Sequence, residues 1–248
     1  MATALPDGCY MKKKIVNWIK KQVRLSGAKG IILGLSGGID SAVILALAKE
    51  AVGKNKVLAL ILPCHSQKQD MIDAKLTAKR FGIKTKTIDL SKAYDTLMGL
   101  FPKGNRLSQA NLKPRLRMMT LYYFANNLNY LVCGTGNKSE IMVGYSTKYG
   151  DAGVDILPIG SLLKSQVRQL AWALNVPEPI MSKAPTAGLW PDQTDEGEMG
   201  ITYPELDDIL MALEKKVRQI LPLYKVKKVK AMVKRSEHKR RLPQICYI

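Results

Sequence analysis

Between a short apolar run, Ile31-Ile32-Leu33-Gly34-Leu35, and an Ala- and Leu-rich segment from Ser41 to Val52 lies Ser36-Gly37-Gly38-Ile39-Asp40-Ser41. No other stretch constrains the fold as tightly. The apolar run reads as a buried strand, and the segment after it as a helix that stops near Gly53. Two adjacent glycines between strand and helix let backbone N–H groups approach an anion closely at a helix N-terminus. Ser36 and Ser41 add hydroxyl donors. Asp40 is the misfit, because a carboxylate repels a phosphate. It has a role if a divalent cation bridges the two. The loop lacks the Lys–Ser/Thr ending of a Walker A loop and the spacing of a dinucleotide-binding Gly-x-Gly-x-x-Gly. It is a nucleotide loop of another kind.

The pattern around this loop repeats its alternation. An amphipathic helix over 10–25 carries Ile15, Ile19 and Val23 at four-residue spacing. Val57–Leu62 is a second buried strand, ended by Pro63, and a helix follows over about 68–81, closed by Gly82. Lys84–Ile88 reads as a third strand, 91–100 as a helix, and 107–128 as a long helix with Pro114 in its first turns, where proline is tolerated. Tyr130–Cys133 is a fourth strand, broken by Gly134-Thr135-Gly136, and Val154–Ile159 is read as a fifth inside a Gly-rich stretch. Lys164–Leu174 is helical. Pro177, Pro179, Pro185 and Pro191 mark irregular structure, and helices near 203–220 and 225–236 close the chain. Strands alternating with helices predict an α/β fold: one doubly wound, Rossmann-like parallel sheet of about five strands, flanked by helices. A single domain is expected over 1–248, with the basic segment from about 226 belonging to it. Ligands on such sheets sit at the carboxyl ends of the strands, where the strand order reverses. The glycine loops after the first and fourth strands fall at that edge.

A chain of 248 residues, 46% hydrophobic, buries a core without disulfide or metal staples. The four cysteines are far apart and lack metal-ligand spacing, as expected of thiols in a reducing cytoplasm, and Cys133 ends an apolar run and is expected to be buried. Two histidines exclude a His-rich metal site. No apolar run reaches the length of a membrane span, and the N-terminus lacks a basic region followed by an apolar core, so a cytoplasmic protein without a leader is expected. The net charge of +19 implies anionic partners without naming them. Nine Lys or Arg fall within 225–241 against one acid, Glu237, whereas 192–208 carries seven acids and no base.

The 36–41 loop resembles the signature of N-type ATP pyrophosphatases, which cleave ATP between the α and β phosphates. From about residue 10 to 245 the chain resembles one branch of that superfamily, the ammonia-dependent NAD synthetases. The resemblance implies ATP contacts from Gly34, Leu35, Ser36, Gly37, Gly38, Ile39, Asp40 and Ser41, and from Thr135, Lys164 and Thr186. Thr135 and Glu140 lie in Leu131-Val-Cys-Gly-Thr-Gly-Asn-Lys-Ser-Glu140, and Glu140 is implied to share a magnesium ion with Asp40. Asp40 and Lys164 are the residues implied for catalysis. Contacts to deamido-NAD are implied for Arg115, for Lys148 and Asp155 in the Gly-rich loop, and for the His238-Lys239 pair. Pro114, before Arg115, stands where the family more often has Ala. Taken singly, Lys148, Lys164 and His238 would pass for solvated surface residues and Asp155 for a turn residue; their joint order carries the resemblance. The acidic 192–200 segment resembles a mobile loop that closes over the site in this family.

The chemistry implied is an amidation. The nicotinate carboxylate of deamido-NAD attacks the α-phosphate of ATP, pyrophosphate leaves into the loop, and ammonia displaces AMP from the adenylate to give NAD. Glutamine-using relatives carry a separate glutaminase domain, for which 248 residues offer no room. Free ammonia, or ammonia delivered by another protein, is therefore expected. Family members are homodimers, and Leu112, Leu116, Met119 and Tyr123 form a stripe on the long helix suited to an interface; the spacing fits an intramolecular core equally well. Two rivals explain the charge. A tRNA-modifying pyrophosphate-loop enzyme would use the same loop, but its sulfur-transfer members usually need paired cysteines, and no appended RNA module is present. A non-enzymatic nucleic-acid binder leaves the loop without a purpose. Small-molecule substrates are expected, and neither nucleic acid nor a membrane.

Overall fold

The computed structural model describes residues 8–190, 192–217 and 221–246. The N-terminal segment read for a leader, Pro191 and the end of the helix expected near 203–220 lie outside the described residues.

Four strands form one parallel sheet: β1 (Gly30–Gly34), β2 (Val57–Ile61), β3 (Thr85–Thr87) and β4 (Tyr130–Val132), in the order β3-β2-β1-β4. Ile31 lies beside both Val57 and Leu131. The chain builds outward from β1 through β2 to β3 and returns to pair β4 on the other side of β1. The order therefore reverses between β1 and β4, the position at which such sheets bind ligands.

The fifth strand expected over Val154–Ile159 does not form. Ile156 alone bridges Cys133. The N–H of Val132 donates to the Asp155 carboxylate (2.7 Å), so a side chain takes the place of a strand carbonyl. Beyond Ile156, Pro158 has no N–H to donate, and the chain turns, with Gly160 N–H donating to Leu157 O.

Side chains alternate across the sheet as a pleat requires. Ile31 and Leu33 join a core with α1 (Gly8–Ser26), α2 (Ile39–Val52), α3 (Lys68–Phe81) and α7 (Lys164–Ala173). Ile32 and Val132 point the other way, into a core with α5 (Arg106–Leu128) and Leu90, which precedes α4 (Ser91–Leu100). α2 is buried on nearly all sides, as its Ala/Leu composition requires of a helix held between sheet and outer helices. A third apolar cluster joins α6 (Lys138–Val143), α10 (Tyr203–Lys215) and α11 (Leu223–Arg235). The short α8 (Glu178–Ser182) and α9 (Asp195–Met199) fall in the segments read as irregular or acidic loop.

Two expectations about α5 change. Pro114, expected in the first turns, lies inside the helix that begins at Arg106, and it faces the central cavity. The stripe divides: Leu116 is buried and Leu112 packs against the same core, whereas Met119 and Tyr123 are exposed. Cys133 is buried as expected, and burial raises its thiol pKa. Among the described residues no helix is long and apolar enough to cross a membrane.

Candidate active site

A cavity of about 430 Å3 opens above the carboxyl ends of β1 and β4. Its floor begins with the loop between β1 and α2. The Ser36 and Ser41 hydroxyls lie 3.1 Å apart, Ser41 Oγ donates to Gly38 O (2.9 Å), and Gly38 N–H donates to Ser36 Oγ (3.2 Å). Gly38 caps α2 without a side chain, so the first-turn amides remain available to an anion. Gly37 supplies the left-handed turn, with φ +83°, and a Cβ there would stand 2.4 Å from Asp70 O in α3. Only glycine satisfies both conditions.

From this floor rises a buried polar network. Asp40, in the first turn of α2, accepts from Asn137 Nδ2 (3.0 Å) and from Lys164 Nζ (2.5 Å). Lys164 Nζ also donates to Glu140 Oε1 (3.1 Å). Its side chain is 2% exposed, and its ammonium lies 4.9 Å from the centre of the Tyr203 ring. The Tyr203 hydroxyl donates between Asp195 Oδ2 (2.9 Å) and Glu140 Oε1 (3.2 Å). Asp195 is 4% exposed, and its Oδ1 has no hydrogen-bond partner among the described residues.

Local sequence explains why these groups meet. Asn137 and Glu140 form a reciprocal capping box that starts α6 and fixes Glu140 at its third position. The Asp207 carboxylate, buried on α10, accepts from Ser139 Oγ (2.5 Å) and from Ser165 N–H (2.8 Å), while Lys164 N–H donates to Ser139 Oγ (3.0 Å). One carboxylate thus holds the starts of α6 and α7 together, and with them Glu140 and Lys164. Burial pushes the Glu140 carboxyl up to about 7, against the pull of the Lys164 ammonium. Burial alone would lower Lys164, but Asp40 and Glu140 outweigh it and hold the ammonium above the ordinary lysine range. Asp195 is likewise raised, chiefly by burial.

Of the residues expected at ATP, Gly34, Leu35, Ser36, Gly38, Ile39, Asp40, Ser41, Thr135, Lys164 and Thr186 line the cavity. Gly37 is turned toward α3. Glu140, expected at the metal, lines the cavity beside Asp40. Among residues expected at deamido-NAD, Lys239 reaches the cavity and donates to Gly144 O (2.7 Å) and Ser146 O (2.5 Å). Lys148 Nζ donates to His238 O (2.6 Å) and Arg115 to Lys148 O (3.4 Å), so Arg115, Lys148 and His238 form a string outside the cavity lining, next in sequence to Pro114 and Lys239, which line its rim. Asp155 lies apart from these. Its two oxygens accept from Val132 N–H and from the Tyr122 hydroxyl (2.9 Å), beneath the edge of β4.

Several site residues escaped the sequence reading. Asn137, Asp195, Tyr203 and Asp207 complete the network just described. Arg117 lines the cavity and donates to Leu62 O (3.1 Å) and Ser66 Oγ (3.3 Å). Lys183 Nζ joins Asp70 (2.8 Å) and Asp73 (2.6 Å) of α3, which anchors the segment bearing Thr186 behind Gly37. Asp151 lines the cavity too, with its pKa raised by burial. The sequence held a signal for α10: Thr202-x-x-Glu205 is a capping-box pattern, and the structure forms it.

Comparison with known proteins gives a consistent result. The sequence model of the NAD synthase family matches residues 11–243. An NH(3)-dependent NAD(+) synthetase of Archaeoglobus fulgidus is 48% identical over 238 residues, covering 95% of this chain and 96% of that protein. Among solved structures, an NMN synthetase from Francisella tularensis superposes with a TM-score of 0.90 at 38% identity, over 98% of this chain and 100% of that one. An NH3-dependent NAD synthetase from Campylobacter jejuni does so with a TM-score of 0.85 at 31% identity, over the same shares.

Proposed function

The chain belongs to the NAD synthase family, and from that premise we propose that its cavity carries out the ATP-dependent amidation of deamido-NAD with ammonia. The observation that carries the reading is the meeting of Asp40, Glu140 and Lys164 at the uncapped start of α2, on the cavity floor. A nicotinate carboxylate is unreactive toward ammonia until one oxygen becomes part of a leaving group. In this reading the loop at 36–41 receives the pyrophosphate of ATP while that carboxylate takes the adenylyl group, and ammonia then displaces AMP. Thr135 and Thr186 face the nucleotide, and Arg115, Lys148, Asp155, His238 and Lys239 serve the deamido-NAD. The protein's work is mostly positioning and charge stabilisation.

The donor set fits a magnesium ion. Asp40 and Glu140 offer hard carboxylate oxygens, and the buried Oδ1 of Asp195 lacks a hydrogen-bond partner among the described residues. Among the described residues no group of three or more Asp, Glu, His or Cys could hold a metal unaided. A magnesium ion would thus draw its remaining oxygens from phosphate and water, its usual preference. When bound, the ion would neutralise phosphate charge and favour departure of pyrophosphate. The reading includes one synthetase domain over 1–248, a cytoplasmic setting, and a homodimer formed through the exposed Met119 and Tyr123. Sedimentation as a monomer at micromolar concentration would remove the dimer.

One observation favours a second acceptor. The Francisella tularensis neighbour is an NMN synthetase, so a mononucleotide acid is the alternative to the dinucleotide. The deciding experiment measures AMP release with ATP, magnesium and ammonium, adding deamido-NAD, deamido-NMN or neither. We expect release to require an acceptor and to be faster with deamido-NAD than with the mononucleotide. Preference for the mononucleotide would reassign the acceptor, and release that ignores both would refute it while sparing the loop chemistry.

A further inference from the structure

The two carboxylates assigned to the metal are already bridged by a cation of the chain itself. Lys164 Nζ lies 2.5 Å from Asp40 Oδ2 and 3.1 Å from Glu140 Oε1. A magnesium ion needs oxygens at about 2.0–2.1 Å, so it and the ammonium cannot occupy the gap together. The backbone of Lys164 is fixed, since its N–H is held by Ser139 Oγ and the next N–H by Asp207. The four-carbon side chain beyond that anchor is the part able to move. Asp40, Glu140 and Asp195 face one ammonium, and Asp195 Oδ1 remains without a partner among the described residues.

We propose that Lys164 gates the metal. In nucleotide-free protein its ammonium occupies the Asp40–Glu140 pair and keeps a divalent ion out. ATP phosphates arriving over the 36–41 loop draw the ammonium onto themselves and free both carboxylates for the ion. Metal and nucleotide then bind with positive coupling, and the coupling passes through the Lys164 side chain. This inference rests on the reading of the cavity as an ATP site.

The test is manganese binding, followed by electron paramagnetic resonance with Mn2+ as the probe. Wild type, Lys164→Met and Lys164→Gln are titrated without nucleotide and with α,β-methylene-ATP. In the absence of nucleotide each variant should bind one Mn2+ at least about tenfold more tightly than wild type, a difference of about 1.4 kcal/mol. A further Glu140→Gln change should abolish the gain. The analogue should tighten Mn2+ binding in wild type more than in either variant. Equal nucleotide-free affinities in wild type and both variants overturn the gate. Where neither variant folds, wild type decides: submillimolar Mn2+ binding without nucleotide overturns the proposal, and its absence supports it. Equal affinities in an enzyme that still releases AMP with deamido-NAD would refute the gate alone.

Discussion

The floor and the rim of the cavity are built on different principles. On the floor, Asp40, Glu140 and Lys164 meet one another directly, side chain to side chain, with Asn137, Tyr203 and Asp207 behind them. Around the rim, Arg115, Lys148 and Lys239 rest on backbone carbonyls of Lys148, His238, Gly144 and Ser146. A buried charge cannot be left alone, so the floor must be neutralised within the fold. A rim cation is half in water, and a carbonyl is a weak partner that a phosphate replaces readily. The floor is therefore suited to chemistry and the rim to capture.

Asp40→Asn should show the largest effect. Asn is close to isosteric and keeps a neutral oxygen toward Lys164, but it removes the charge needed to hold a divalent ion. We expect kcat for AMP release to fall on the order of 10²–10³-fold, while stability falls by only about 2 kcal/mol. Steady-state kinetics beside a thermal melt separate the two. Turnover within tenfold of wild type would break the distinction, because the floor would then not be where the reaction is served.

Lys148→Ala tests the other half. Among the described residues its ammonium contacts His238 O and, at 5.3 Å, the centre of the Tyr149 ring. We expect KM for deamido-NAD to rise about tenfold, about 1.4 kcal/mol, with kcat unchanged. A fall in kcat at constant KM would move Lys148 from capture to chemistry.

The two regions were not equally legible in the sequence. The loop at 36–41 is local, and its strand–glycine–helix grammar survives in the structure down to the uncapped helix start. The alternation that gave the parallel sheet is local too, and among its strands it failed where Pro158 and the Asp155 side chain displaced a fifth. The floor network is not local. Asp40 and Lys164 are 124 positions apart, and only the family resemblance joined them. Asp207 was only one of seven acids counted over 192–208, yet it is 2% exposed because α10 turns that face inward. Asp195 was hidden for the same reason, inside a segment read as a loop. Periodicity reports which face of a helix is apolar; it cannot report a carboxylate whose partners arrive from two other helices.

Lys183 lies between floor and rim and should show the smallest effect. It ties the Thr186-bearing segment to Asp70 and Asp73, beside the Gly37 turn. Burial would lower its pKa, but hydrogen bonds to both carboxylates prevail and hold it above the ordinary lysine value of 10.5. The folded protein thus keeps this proton longer than the unfolded chain. The stabilisation is complete below 10.5 and is lost only as pH rises through the folded pKa. The group is partly solvated, so Lys183→Met should cost about 1 kcal/mol, a melting shift of about 2–4 °C for a chain of this size. The gap between wild type and variant should stay constant from pH 7 to about pH 10 and close above it. A gap that closes by pH 9 would mean the ammonium is not held by these carboxylates. The segment would then belong with the displaceable rim, and KM for ATP, not stability, would be the quantity that Lys183 controls.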